Sequence, residues 1–186
     1  MAVQTRLNGL DLGALQTIVA GWQSDPAKRQ TVWRTHVEWQ DGFGNTFQSR
    51  SHAPVLVDEP TSLGGTDSAA NPAEVLLGAL GTCLSIGYAL NAAARGIELQ
   101  HLALDLEGDI DLGVFGGLVE EGNAGYSDIR VRVQVQSDAP REALEALHEH
   151  VVRTSPILNT VARPVNVTSE VVVSGARPVA PEPAQV

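Results

Sequence analysis

The stretch from Asn71 to Gly96, NPAEVLLGALGTCLSIGYALNAAARG, constrains the fold more than any other part of the chain. Asn71-Pro72-Ala73-Glu74 combines a helix-capping residue, a proline at the first helical position and a glutamate at the third. That is a capping box, with the proline where its missing N–H costs nothing. The pattern predicts a helix over 72–95 closed by Gly96. Its length is roughly 35 Å at about 1.5 Å per residue. Nearly every residue from Val75 to Ala94 is apolar or small. A helix apolar all round belongs in an interior, so this one is expected to be buried on every side. Gly78, Gly81, Ser85 and Gly87 stud it. Each such glycine costs up to about 1 kcal/mol against alanine, which makes sense where another element must come close. A partner subunit completing the cover is one way to bury a helix that a single small sheet cannot wrap.

The rest of the chain supplies alternating strands and amphipathic helices. Leu12, Leu15, Ile18 and Val19 predict a short helix ending near Gly21. Thr31 to Gln40 alternates, with Trp33, Val37 and Trp39 on one face and Arg34, His36 and Glu38 on the other. Turn signals at Asp41-Gly42 and Gly44-Asn45 predict a hairpin into Thr46–Arg50, followed by a short strand over Ala53–Val57. Asp58 to Ala70 reads as a polar loop. Strands are expected over Ile97–Ile110 and Tyr126–Ser137, one with an acidic and one with a basic wet face. As antiparallel neighbours they can pair those charges. A helix follows over Pro140–Val152, with Ala143, Leu144, Leu147 and Val151 inward. A short helix capped by Ser155 comes next, then a last strand over Pro164–Val173. This order fits an α+β fold with antiparallel sheet better than a doubly wound one. Residues 1–30 read as an N-terminal helical arm, 31–173 as the folded domain and 174–186 as a disordered tail. Aromatic residues are only 4%, so the core must come mainly from Leu, Val, Ile and Ala.

Charge and motifs exclude several functions. A formal net charge of -10 argues against nucleic acid and against an anionic membrane surface as partners. Met1 to Gly9 has no basic region leading into an apolar run, so no signal peptide is expected, and no stretch holds the roughly 18 uninterrupted apolar residues of a membrane span. Cytoplasm is the expected compartment. His148 and His150 stand two apart on a helix, hence on different faces, and no metal is expected. Gly64-Gly65 and Gly116-Gly117 lack the setting of a phosphate loop, so no cofactor is expected either.

That leaves Cys83, the single cysteine, as the candidate for chemistry. A mid-helix cysteine is by default a small apolar filler. Activation needs a cation brought in from another element. Arg34, or the segment Arg50-Ser51-His52, can supply one, although each also reads as ordinary solvated surface. Glu74 is accounted for by the capping box.

The runs Asp58-Glu59-Pro60, Gly64-Gly65-Thr66-Asp67, Asn71 to Leu77 and Ala79-Leu80-Gly81-Thr82-Cys83 together resemble the OsmC/Ohr superfamily, as do Ser155-Pro156-Ile157 and Pro164-Val165-Asn166-Val167. The likeness is nearest to the OsmC-like branch and spans residues 31–173. It implies an OsmC-like fold: antiparallel sheets wrapped around long central helices in an intertwined homodimer, with active sites between subunits. It also implies reduction of organic hydroperoxides. The helix cysteine becomes a sulfenic acid, a second cysteine resolves it, and an external dithiol reduces the disulfide. Cys83 matches the attacking cysteine. The position of the resolving cysteine holds Ser155, and the glutamate of the hydroperoxide resistance proteins is replaced by Ala73. Their activating arginine corresponds to about Gln40-Asp41, which leaves Arg34, Arg50 and His52 as stand-ins. The resemblance therefore implies a one-cysteine, peroxiredoxin-like peroxidase that draws on a small thiol or dithiol. The alternative is a non-catalytic homodimer of the same fold that binds a small apolar ligand or a protein.

Overall fold

The computed structural model describes residues 6–173 and residue 175. The chain opens with a two-residue hairpin, β1 (Arg6–Leu7) and β2 (Leu10–Asp11), turned by left-handed Asn8 and Gly9. Asn8 ties this hairpin to the body. Its side-chain amide donates to the Ile97 carbonyl, and its oxygen accepts from the Leu99 N–H, both at 2.9 Å. Helix α1 (Leu12–Ser24) follows, capped by Asp11. It runs through Gly21 and stops at Asp25-Pro26, because proline pushes the residue before it out of helical geometry.

A three-stranded antiparallel sheet comes next: β3 (His36–Asp41), β4 (Gly44–Gln48) and β5 (Val55–Val57). The strand expected from Thr31 begins only at His36. His36 pairs with Gln48, the last residue of β4, so the backbone ladder ends there. Thr35 reaches the other arm only through its side chain, which donates to the Gln48 carbonyl and accepts from the Ser49 hydroxyl, both at 3.1 Å. Every residue of β3 is exposed, Val37 and Trp39 included.

Helix α2 spans Pro72–Ala94. Its capping box forms as expected: the Glu74 N–H donates to Asn71 Oδ1 at 2.8 Å, and the Asn71 N–H donates to Glu74 Oε2 at 2.9 Å. At the other end Gly96 takes a left-handed φ of 71°. Gly96 then donates to the Ala93 carbonyl and Ile97 to that of Ala92, a Schellman closure.

Two long strands, β6 (His101–Ile110) and β7 (Tyr126–Gln136), form an antiparallel ribbon. Their register sets Glu107 opposite Arg130 and Asp105 opposite Arg132. Arg130 meets Glu107 at 2.7 Å and Asp109 at 2.5 Å, so the charge pairing read from the sequence is present on the wet face. Helices α3 (Arg141–Thr154) and α4 (Pro156–Val161) complete the body. The core forms where α2 meets the ribbon and α3. Leu80, Leu84, Tyr88 and Ala92 of α2 pack with Leu147 and Val151 of α3, over Leu102, Leu104, Leu106, Ile129 and Val131 of the ribbon.

Two expectations need correcting. The last strand is not formed: residues 164–173 run without pairing, and Val165, Val167, Val171, Val172 and Val173 are exposed. A strand needs an edge to bond to, and this segment meets none among the described residues. Nor is α2 buried on every side. Leu76, Ile86 and Leu90 remain exposed. Leu76 opens onto a cleft shared with β7 and α4, whereas Ile86, at 68%, stands about half a turn round the helix from core Leu84 and Tyr88. By length and composition α2 could cross a membrane. Its opposite side packs against β6, α3 and α4, as the core helix of a globular domain does. The tail expected to be disordered lies outside the described residues apart from Gly175.

Candidate functional site

The approach to α2 is built around one carboxylate. Asp58 follows β5 and is 2% exposed. Its Oδ2 accepts four hydrogen bonds: from the backbone and hydroxyl of Thr66 at 3.0 and 2.5 Å, and from those of Ser68 at 3.1 and 3.0 Å. These donors, Thr66 foremost, hold the Asp58 carboxyl well below the usual carboxylate range. The loop folds so tightly that a Cβ on Gly65 would lie 1.9 Å from the Glu59 carbonyl oxygen, hence glycine there. Asn71 also donates from its side chain to Glu59 at 3.3 Å. The loop thus fixes where α2 begins.

Cys83 lies about three turns into that helix. It is half-buried, on the flank of the core stripe that Leu80 and Leu84 define. Across from it stands Ser155, at the junction of α3 and α4, 4% exposed. Cys83 Sγ and Ser155 Oγ are 3.4 Å apart. Ser155 is held on every side. Its N–H donates to the Val151 carbonyl at 2.9 Å, its carbonyl accepts from the Asn159 amide at 2.8 Å, and its hydroxyl oxygen accepts from the Leu158 N–H at 3.3 Å as the cap of α4. A cleft of about 530 Å³ opens nearby, with Leu76, Leu80, Ile129, Val131, Leu158 and Val161 among its walls, and neither Cys83 nor Ser155 lines it. Leu80 lies one turn before Cys83, and Leu158 is the residue bonded to Ser155.

The cationic candidates lie elsewhere in the chain. Arg34 and Arg50 come together at the open end of the β3–β4 hairpin, lining a cleft of about 700 Å³ with Trp33. Neither has a carboxylate partner among the described residues. His52 is exposed, and its carbonyl accepts from the Gln48 side chain at 2.7 Å. Among the described residues the polar contact of Cys83 is Ser155, and none of the three cations touches the sulfur within one chain. The sheet that carries them makes no extended contact with α2.

The histidines have other partners. His148 bonds to the hydroxyl of buried Tyr88, with the rings stacked at 6.2 Å. Burial pushes the Tyr88 phenol up to about 12. His150 lies 3.1 Å from an Arg153 nitrogen; burial first, then Arg95 and Arg153, lower its affinity for a proton. Among the described residues no cluster of His, Cys, Asp or Glu is arranged to hold a metal.

One feature of the site is not picked out by the sequence. Asp58 reads as part of an ordinary polar loop, although a carboxylate followed by Gly-Gly-Thr-Asp-Ser is a signal for hydroxyl and amide donors folded back on it. Ser155 reads locally as a helix cap, and its place opposite a sulfur 72 residues away comes from the family resemblance rather than from any local pattern.

A family model described as OsmC-like protein matches residues 65–170. Among curated proteins none matches the chain. Solved structures share the fold at low identity. An OsmC-like protein from Mycoplasma pneumoniae is 18% identical with a TM-score of 0.63, over 72% of this chain and 89% of that one. An organic hydroperoxide resistance protein OsmC from Legionella pneumophila is 16% identical with a TM-score of 0.53, over 71% and 91%. An organic hydroperoxide resistance protein from Elizabethkingia anophelis is 17% identical with a TM-score of 0.55, over 71% and 90%.

Proposed function

We infer that the chain, which belongs to the family of OsmC-like proteins, reduces organic hydroperoxides through Cys83, with a small thiol from solution as reductant. The observation that carries this is the half-buried sulfur of Cys83, placed 3.4 Å from a hydroxyl, with an apolar cleft opening at Leu80, about one turn earlier on α2. A sulfur that only filled space would be sealed among hydrocarbon. The Legionella and Elizabethkingia proteins of the same fold, both named for organic hydroperoxide resistance, support the same reading.

The chemistry balances with one cysteine. The Cys83 thiolate attacks the terminal peroxide oxygen, the O–O bond breaks, and the alkoxide leaves and takes a proton as an alcohol. Cys83 is now a sulfenic acid. A thiol condenses with it, forming a mixed disulfide and releasing water. A second thiol attacks that disulfide, restores Cys83 and departs as the oxidised thiol pair. The hydroperoxide gains two electrons and the two thiols lose them. The apolar cleft suits an alkyl group. A cycle fed by free thiols fits a reducing compartment such as the cytoplasm and a role in peroxide stress.

The reading includes a homodimer. A second copy is the natural cover for the open side of α2 and for the exposed β3–β5 sheet, and an edge for residues 164–173 to pair with. It also gives Arg34, Arg50 and His52 a route to the thiolate that one chain does not offer.

Stopped-flow mixing with tert-butyl hydroperoxide tests the reaction. The expected result is loss of the Cys83 thiol within milliseconds to seconds, with a sulfenic acid trapped by dimedone. If Cys83 keeps its full thiol titre, the peroxidase reading fails. A non-catalytic dimer that binds an apolar ligand in the cleft then takes its place.

A further inference from the structure

We propose that Ser155 is a positioning residue for Cys83: its hydroxyl hydrogen is directed at the sulfur and stabilises the thiolate, a role resting on the peroxidase reading above. The argument is one of counting donors and acceptors. A serine hydroxyl has one hydrogen to give and lone pairs to receive. The Leu158 N–H already occupies a lone pair of Ser155 Oγ at 3.3 Å. Among the described residues the hydroxyl has no acceptor other than Cys83 Sγ, at 3.4 Å. Ser155 is 4% exposed, so water competes little for that hydrogen.

When Cys83 is a neutral thiol, either group can donate and little is gained. When it is a thiolate, only the hydroxyl can donate, and the bond becomes charge-assisted. Hydrogen bonding to the charged form favours that form. Rigidity matters equally. With its backbone tied to Val151 and Asn159 and its oxygen tied to Leu158, Ser155 needs no rearrangement when the charge appears. The same hydroxyl also cannot form a disulfide. Ser155 therefore helps to make the sulfur nucleophilic while leaving the sulfenic acid for an outside thiol.

The test is the rate of Cys83 alkylation by iodoacetamide across pH, in the full chain and in Ser155→Ala, Ser155→Gly and Ser155→Thr. Glycine replaces serine as a helix cap with little loss and threonine keeps both cap and hydroxyl, so the series separates the cap from the donor. Without the hydroxyl, Ala and Gly variants should alkylate about threefold slower near neutral pH, where less thiolate is present. On the alkaline plateau, where the rate no longer rises with pH, their less stabilised thiolate should react as fast as the wild type or faster. The Thr variant should follow the wild type. A crossing of the curves is specific to thiolate stabilisation. Superimposed curves, or rates lowered by one factor at every pH, overturn the proposal. If Ser155→Ala fails to fold, the Gly variant decides alone. No hydroperoxide is used, so the two readings fail separately: crossing curves with an unreactive wild type refute the peroxidase, and a reactive wild type with superimposed curves refutes the role of Ser155.

Discussion

A buried carboxylate that accepts four hydrogen bonds from two residues stays ionised at the expense of protonation, and Asp58 is such a group. Its folded state holds the proton less well than an unfolded aspartate, whose ordinary value is about 3.9. The stability it contributes is therefore fully present above that value and is lost as pH falls towards the depressed folded one. Asp58→Asn should lower the melting temperature at neutral pH, because an amide presents N–H groups where only acceptors fit. The gap between wild type and variant should close steadily below about pH 4. Thermal melts from neutral to acid pH check this, and a gap independent of pH contradicts it. Single residues are also where the sequence says least. Cys83 stands out because it is the one thiol. What faces it is legible only through the family resemblance, which sets Ser155 at the resolving position, because the α2–α3 packing that brings Ser155 there leaves no local pattern. Arg34 and Arg50 are legible as alternative cations; the hairpin places them together, but it says nothing by itself of where they are delivered.

At the scale of elements, local rules serve well wherever an element finds its partner within the chain. The capping box, the Schellman closure, the β6–β7 charge register and the inward stripe of α3 are all legible in the order of the amino acids. Elements without a partner inside the chain mislead. Residues 164–173 carry a strand pattern without an edge, and Ile86 and Leu90 carry a core pattern while remaining exposed. The glycines of α2 divide the same way, and Gly81 serves the packing inside one chain. A Cβ there would lie 2.8 Å from Leu106 Cδ1 of β6. Gly81→Val adds branched bulk at that contact and should lower unfolding stability by about 1–3 kcal/mol, the usual cost of overpacking, despite a gain in helix propensity. Denaturant unfolding measures it. A variant as stable as the wild type would show that Leu106 gives way at no cost.

The whole molecule is a core with one side closed and one side open. The ribbon, α3 and α4 cover one side of α2, and the β3–β5 sheet stands apart with Val37 and Trp39 uncovered. For a chain in which apolar residues reach 43%, open surfaces on this scale point to association. The proposed homodimer predicts that the purified protein sediments at twice the chain mass of 19.6 kDa. Ile86→Asp, a charge placed on the open side of α2 away from the intrachain core, should shift it to a monomer that keeps its helix content by circular dichroism. A wild type that sediments as a monomer removes the dimer from the reading.

The open side of α2 also ties heat tolerance to abundance. Whatever fills it binds the folded chain and not the unfolded one, so by mass action the melting temperature must climb as the filler becomes more plentiful. If the filler is another copy, the chain protects itself better the more of it is made, and diluting it brings thermal unfolding closer.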